Sequence, residues 1–286
     1  MLRMLRWSRV PLFPLIDARE RLTRGVRPRQ PEPMVMDDAC GVREYDHAGA
    51  STLLLAVHHF NAVALSELLP ERGTLLDLGC GSGRLLARLA LGRPNAQLVG
   101  LDLSEPMLQA GRQRLANERL SHRVELRAGD ITNFDTELPP RLNLVSCNLA
   151  LHHLPSELAA RCLQAISRAR ERTDCGLYIF DFARLRNPRS WPAMMSIAVV
   201  PGAAFLHDGI ASERAAFTFA ELTELAQRSG LQDLQHSRAG PLAEFQLHWV
   251  AGRDGSRSGR WHDVPLPHGS RLATRIIRRS FPRSLT

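Results

Sequence analysis

Asp77 stands two places before Gly79, and Gly79, Gly81 and Gly83 follow at alternate positions in "LLDLGCGSGRLL", residues 75–86. Glycine inside a regular element costs about 1 kcal/mol relative to alanine. Three of them this close mark a bend where backbone must meet a ligand with no side chain between. Such a bend, placed between a strand and a helix, presents unpaired N–H groups and the positive end of the helix dipole. Three ligand chemistries compete for it. A phosphate cradle needs Lys and Ser/Thr after its last glycine, and Arg84 and Leu85 stand there. A dinucleotide site reads G-x-G-x-x-G, whereas the third glycine here comes one residue early. Asp77 separates what remains, because a carboxylate at that point repels a diphosphate and attracts an ammonium. The pattern points to a nucleoside with an amino-acid end, the chemistry of S-adenosylmethionine.

The elements that must position these groups follow from the alternation of apolar runs. "TLLDLG", "QLVGLDL", "RVELRAGD", "LNLVSCN" and "GLYIFDF" read as strands, separated by helical "SGRLLARLAL", "SEPMLQAGRQRLANE" and "PSELAARCLQAISRARE". A helix opened by Ser51 or Thr52 precedes them, and a capped helix "TFAELTELAQRSG" follows. Strands alternating with long helices imply right-handed crossovers. The fold class expected is α/β, a Rossmann-like sheet, mostly parallel, with helices on both faces. The short turn between the strand-like runs "LQDLQHSRAG" and "LAEFQLHWV" makes the final strand antiparallel. The connection over about 184–217 is too long to be idle and emerges where ligands bind in such sheets, so it reads as a substrate cap.

In motif order from about Leu75 to Phe182, and more loosely from Met34 to Val250, the chain resembles the class I S-adenosylmethionine-dependent methyltransferases, particularly their small-molecule branch. The residues that carry the resemblance are the glycine bend, "VGLDLSEPML", "RAGDITNF" and "SCNLALHHLP". It implies that Gly79, Cys80, Gly81 and Gly83 line the cofactor and that Asp77 reads its ammonium. Asp102 takes the ribose hydroxyls, Leu103 and Met107 pack on adenine, and Asp130 accepts from the exocyclic amine beside the Ile131 backbone. Asn148 lies at the mouth by the sulfonium. His152 and His153 are the candidate general bases, of which at most one faces the acceptor. One departure is Asn143, where the family often has Asp. The absence of an N/D-P-P-Y/F motif counts against methylation of a nucleobase amine. The expected activity is in-line methyl transfer to O, N or C of a small molecule. The alternatives are a tRNA or rRNA methyltransferase, or an inactive adaptor acting through its tails.

Charge divides the 286 residues into three parts. All basic residues are arginine, and eight lie in 1–30 and eight in 251–286. The body, 31–250, holds 21 basic against 25 acidic residues, a net of −4 beneath the overall +8. We therefore expect a basic, proline-rich extension over 1–33, the methyltransferase domain over 34–252 and a basic tail over 253–286. An acidic body does not favour nucleic acid as the partner. In the tail, Arg271, Arg275, Arg278 and Arg279 share a helical face opposite Leu272, Ile276 and Ile277, which would suit peripheral membrane contact or an acidic partner. No apolar run is long enough to cross a bilayer. Five cysteines without a C-x-x-C pair fit a reducing, cytoplasmic setting, and no metal site is expected.

Overall fold

The computed structural model describes residues 13–33, 42, 51–197, 203–239, 245–253 and 258–281. The start of the body near Met34 or Met36, Cys40 and the centre of the cap around Pro201 lie outside them. Helix α1 spans Phe13–Leu22 and α2 Thr52–Leu68. The alternating core follows: β1 Thr74–Leu78, α3 Arg84–Gly92, β2 Gln97–Asp102, α4 Glu105–Asn117, β3 Val124–Ala128, β4 Leu142–Asn148, α5 Ser156–Thr173 and β5 Gly176–Phe182. The cap carries α6 Ser190–Ile197 and α7 Ala203–Ala215. Then come α8 Phe219–Arg228, β6 Gln235–Arg238, β7 Phe245–Val250 and α9 His268–Ser280.

The seven strands run in the order β3-β2-β1-β4-β5-β7-β6, with β7 antiparallel to both neighbours and the other pairings parallel. Each inner strand buries both faces, and its period of two sorts neighbours between two cores. Leu75, Leu98, Leu144 and Tyr178 face the core under α2, α3 and α9. Leu76, Val99, Val145 and Ile179 face the one under α5 and α8. Three of the helix starts are chemically capped. Ser51 accepts from Leu54 N, Ser104 from Met107 N, and Thr218 forms a capping box with Glu221.

Two buried polar groups tie the first core together. Tyr178 donates to Asn61 Oδ1 at 2.6 Å, and the Asn61 amide donates on to Val57 O. Arg93 is wholly buried and donates to the carbonyls of Ser66, Leu69 and Pro70 at and just beyond the end of α2. Asn143, the departure from the family pattern, accepts the backbone N–H of Thr74 at 2.9 Å and so helps join β4 to β1.

The tail helix differs from its sequence reading. Ser270, Ala273 and Ile277 of α9, with Phe281 after it, are the buried stripe, while Ile276 is exposed and Leu272 only half-buried. Phe281 stacks on Phe60 of α2, with ring centroids 5.5 Å apart. The apolar face is spent on the body, and the arginines point outward.

Candidate active site

The C-terminal edge of β1, β2, β4 and β5 gathers the residues singled out above. Glycine is required in the bend for two reasons. Gly79, Gly81 and Gly83 all have positive φ, at 68°, 54° and 68°. A Cβ on Gly79 would also lie 2.5 Å from the Cβ of Ala150, just beyond β4. The bend is held by its neighbours, since Gly79 N and Cys80 N donate to Leu101 O on β2.

Asp77 pairs in register with Ser146 of β4, and its Oδ1 accepts from Ser146 Oγ at 2.6 Å and from Asn148 Nδ2 at 3.1 Å. Burial raises its carboxyl to about 7, the two hydrogen bonds opposing the shift. Asn148 Oδ1 is buried without a hydrogen-bond partner. A buried carbonyl acceptor beside a buried carboxylate is what a primary ammonium would satisfy, so these residues fit the amino-acid end of S-adenosylmethionine.

Asp102, at the tip of β2, takes Gly81 N on Oδ2 at 2.7 Å and Ser104 N on Oδ1 at 2.9 Å. It pins the glycine bend, and burial raises its pKa against those backbone donors. Leu103 is exposed beside it, an apolar side chain left facing outward. Met107 is buried, and its Cε lies 3.2 Å from where a Gly81 Cβ would stand. Asp130 closes a turn by accepting from Thr132 N at 2.8 Å, and Ile131 is buried. Cys80 packs over Gly100 of β2, where a Cβ would meet its sulfur at 2.6 Å. Burial pushes its thiol well above the usual range, so it fills space.

His152 and His153 lie in a 3-10 turn after β4, with ring centroids 4.3 Å apart. His152 is buried, its Nδ1 is 2.6 Å from Asp181 Oδ1 at the end of β5, and its backbone N donates to Asp181 Oδ2. Its Nε2 faces Glu32 Oε1 at 3.2 Å. Burial opposes charge on His152, but Asp181 and Glu32 outweigh it and lift the ring to about 9. Burial and then His152 hold His153 down, to about 4.

Glu32 and Arg29 were not legible as site residues. Arg29 donates to the carbonyls of His152 and Leu154, each at 2.6 Å, and to Ala215 O, and its guanidinium lies 3.9 Å over the Phe217 ring. Glu20 accepts from Asn187 N and Ser190 Oγ, both at 3.0 Å. Residues 13–33, set apart by composition, thus strap the cap to the turn after β4. Within the cap, Arg184 is buried and pairs with Glu221, whereas His207 and Asp208 are exposed.

A mostly parallel sheet, a glycine bend after β1 and acids at the tips of β1 and β2 are the arrangement with which Rossmann-like folds bind nucleosides. Residues 75–172 match the family described as "Methyltransferase domain". Over that segment, β1 to α5, the chain is similar to methyltransferase domains, and the residues at its sheet edge fit S-adenosylmethionine as the cofactor. Over 94 residues it is 42% identical to a trans-aconitate 2-methyltransferase of Deinococcus radiodurans, covering 32% of this chain and 33% of that one. Over 91 residues it is 36% identical to a ribosomal RNA small subunit methyltransferase C of Klebsiella pneumoniae, covering 31% and 25%. The chain therefore spans a third or less of the length of these two relatives. A SAM-dependent methyltransferase from Aquifex aeolicus shares the fold, at a TM-score of 0.51 and 14% identity over 75% of this chain and 98% of its own. Among the described residues, no helix is long and apolar enough to cross a membrane.

Proposed function

We propose that the protein transfers the methyl group of S-adenosylmethionine to a small-molecule acceptor by in-line displacement. The observation that carries this reading is the buried Asp77 carboxyl, which accepts from Asn148 Nδ2, lying beside the unpartnered Asn148 Oδ1 at the glycine bend. Asp77 and Asn148 would hold the ammonium, Asp102 the ribose, and Leu103, Met107, Ile131 and Asp130 the adenine. The cofactor supplies an activated methyl, so the chain's task is alignment and the exclusion of water. An acceptor hydroxyl or acidic carbon must also lose a proton. The His152–His153 turn, at the same sheet edge, is where this reading places acceptor activation.

A small acceptor is favoured by the strap and cap. Residues 20–29 are stitched to Leu185, Asn187 and Ser190 and to Glu213 and Ala215 of the cap, beside the turn after β4, which suits an enclosed ligand better than a nucleic-acid duplex. The net charge of residues 31–250, −4, weighs against a phosphate backbone as partner. Calorimetry with S-adenosylmethionine tests the reading. The wild type is expected to bind, and Asp102→Ala to bind at least about tenfold more weakly, since hydrogen bonds to a charged group contribute about 1.5–3 kcal/mol. Absence of wild-type binding overturns it. A tritiated-methyl screen against metabolite and RNA fractions then separates acceptors, and label in RNA with steep salt dependence would favour the nucleic-acid alternative.

A further inference from the structure

We propose that Glu32, His152 and His153 form a binding site for one borderline divalent cation of the Zn²⁺ type. Glu32 Oε1, His152 Nε2 and His153 Nδ1 all lie within 4.8 Å of one another. Glu32 Oε1 is 3.2 Å from each of the two ring nitrogens. Ligands at about 2.0–2.1 Å from a tetrahedral Zn²⁺ stand about 3.3 Å from each other, so both spacings match edges of a coordination tetrahedron. They are long for charge-assisted hydrogen bonds, which run about 2.7–2.9 Å. In the same cluster, the contact between His152 Nδ1 and Asp181 is 2.6 Å. The carbonyl of Pro33, 3.2 Å from His153 Nδ1, is a further oxygen at the same spacing.

The surroundings of His152 are those of a metal ligand. Asp181 takes the Nδ1 proton and also the backbone N–H of His152, which fixes ring and tautomer and turns Nε2 toward Glu32. Ser212 Oγ donates to Glu32 Oε1 at 3.1 Å and orients the carboxylate. Two imidazoles and one carboxylate are a donor set for borderline divalent ions, with positions left for water or an acceptor oxygen. A cation there would lower the pKa of a bound acceptor hydroxyl, and this role rests on the methyl-transfer reading. Cation binding itself does not.

The full chain, stripped with a chelator, is titrated with Zn²⁺ by calorimetry and with Co²⁺ by visible absorption. The variants are Glu32→Gln and His153→Ala, the latter at a side chain 35% exposed. We expect one ion per wild-type chain, d–d bands of four- or five-coordinate Co²⁺, and affinity at least about tenfold weaker in each variant. No stoichiometric binding, or binding unchanged by both substitutions, overturns the site and leaves His152 as a protonated ion-pair partner. Titration of the same samples with S-adenosylmethionine separates the two readings. Cofactor binding without Zn²⁺ binding rejects the cation site alone, and Zn²⁺ binding without cofactor binding rejects the methyltransferase reading alone.

Discussion

Asp77 is a carboxyl whose environment holds it near neutrality, and this has two consequences of opposite sign. Its folded value, about 7, lies above the ordinary 3.8. Between those values the folded chain keeps a proton that the unfolded chain has released, so this group lowers the stability of the ligand-free protein as pH rises from about 4 to about 7. Binding an ammonium needs the ionised carboxylate. Affinity for S-adenosylmethionine should therefore climb as pH rises toward about 7, then decline above about 8 as the cofactor's α-amino group deprotonates. Calorimetry from pH 5.5 to 9 is expected to show that profile, with the acidic limb flattened in Asp77→Asn. Gly79→Ala isolates the bend itself. A Cβ at positive φ costs about 1–2 kcal/mol, and the clash with Ala150 adds about 1–3 kcal/mol. Loss of both thermal stability and cofactor affinity is the expected result, read by denaturation and by the same calorimetry.

Among the elements, the end of α2 depends on a side chain from the turn after α3. Arg93 satisfies three carbonyls that α2 cannot bond itself, and Gly259 packs so closely over its guanidinium that a Cβ there would clash. Arg93→Met keeps the aliphatic bulk and leaves Ser66 O unmet, while Leu69 O and Pro70 O keep only the backbone donors Gly259 N and Gly73 N. We expect a loss of about 2–4 kcal/mol in urea denaturation, with cofactor affinity little changed once the protein is folded. Much of this level was legible beforehand. The five parallel strands, their helices, the cap at Ser51 or Thr52 and the capped start of "TFAELTELAQRSG" follow from apolar spacing and local hydrogen-bonding chemistry. Arg93 was not, because nothing in "LGRPNAQ" distinguishes a buried arginine from a solvated one.

For the whole molecule, the two arginine-rich ends behave as parts of the fold where the structure describes them. The N-terminal strap reaches the turn after β4, and α9 lies along α2 with Ile277 in the core. Ile277→Ala should cost about 2–4 kcal/mol in thermal or urea denaturation, the usual price of truncating a buried aliphatic side chain. A helix bound only to a membrane or partner would show no such loss in the isolated protein. Removing 1–33 should weaken the cap's hold over the site more than it weakens cofactor binding, because Asp77 and Asp102 are seated by β-strand neighbours. A rise in acceptor KM with unchanged calorimetry for S-adenosylmethionine would report it.

From the chain alone one could read the sheet, its antiparallel close, the bend and the acids at its rim. These depend on interactions between residues close in sequence, or on a strand register that repeats. Glu32 beside His152 and His153, Arg29 beneath the same turn, Ser146 on Asp77 and the buried face of α9 are contacts across long stretches of chain. Side chains brought together by closure of the fold leave no periodic trace in sequence. A basic, proline-rich segment looks the same whether it hangs in water or threads back over the site, and only the packed structure shows which polar groups it comes to meet.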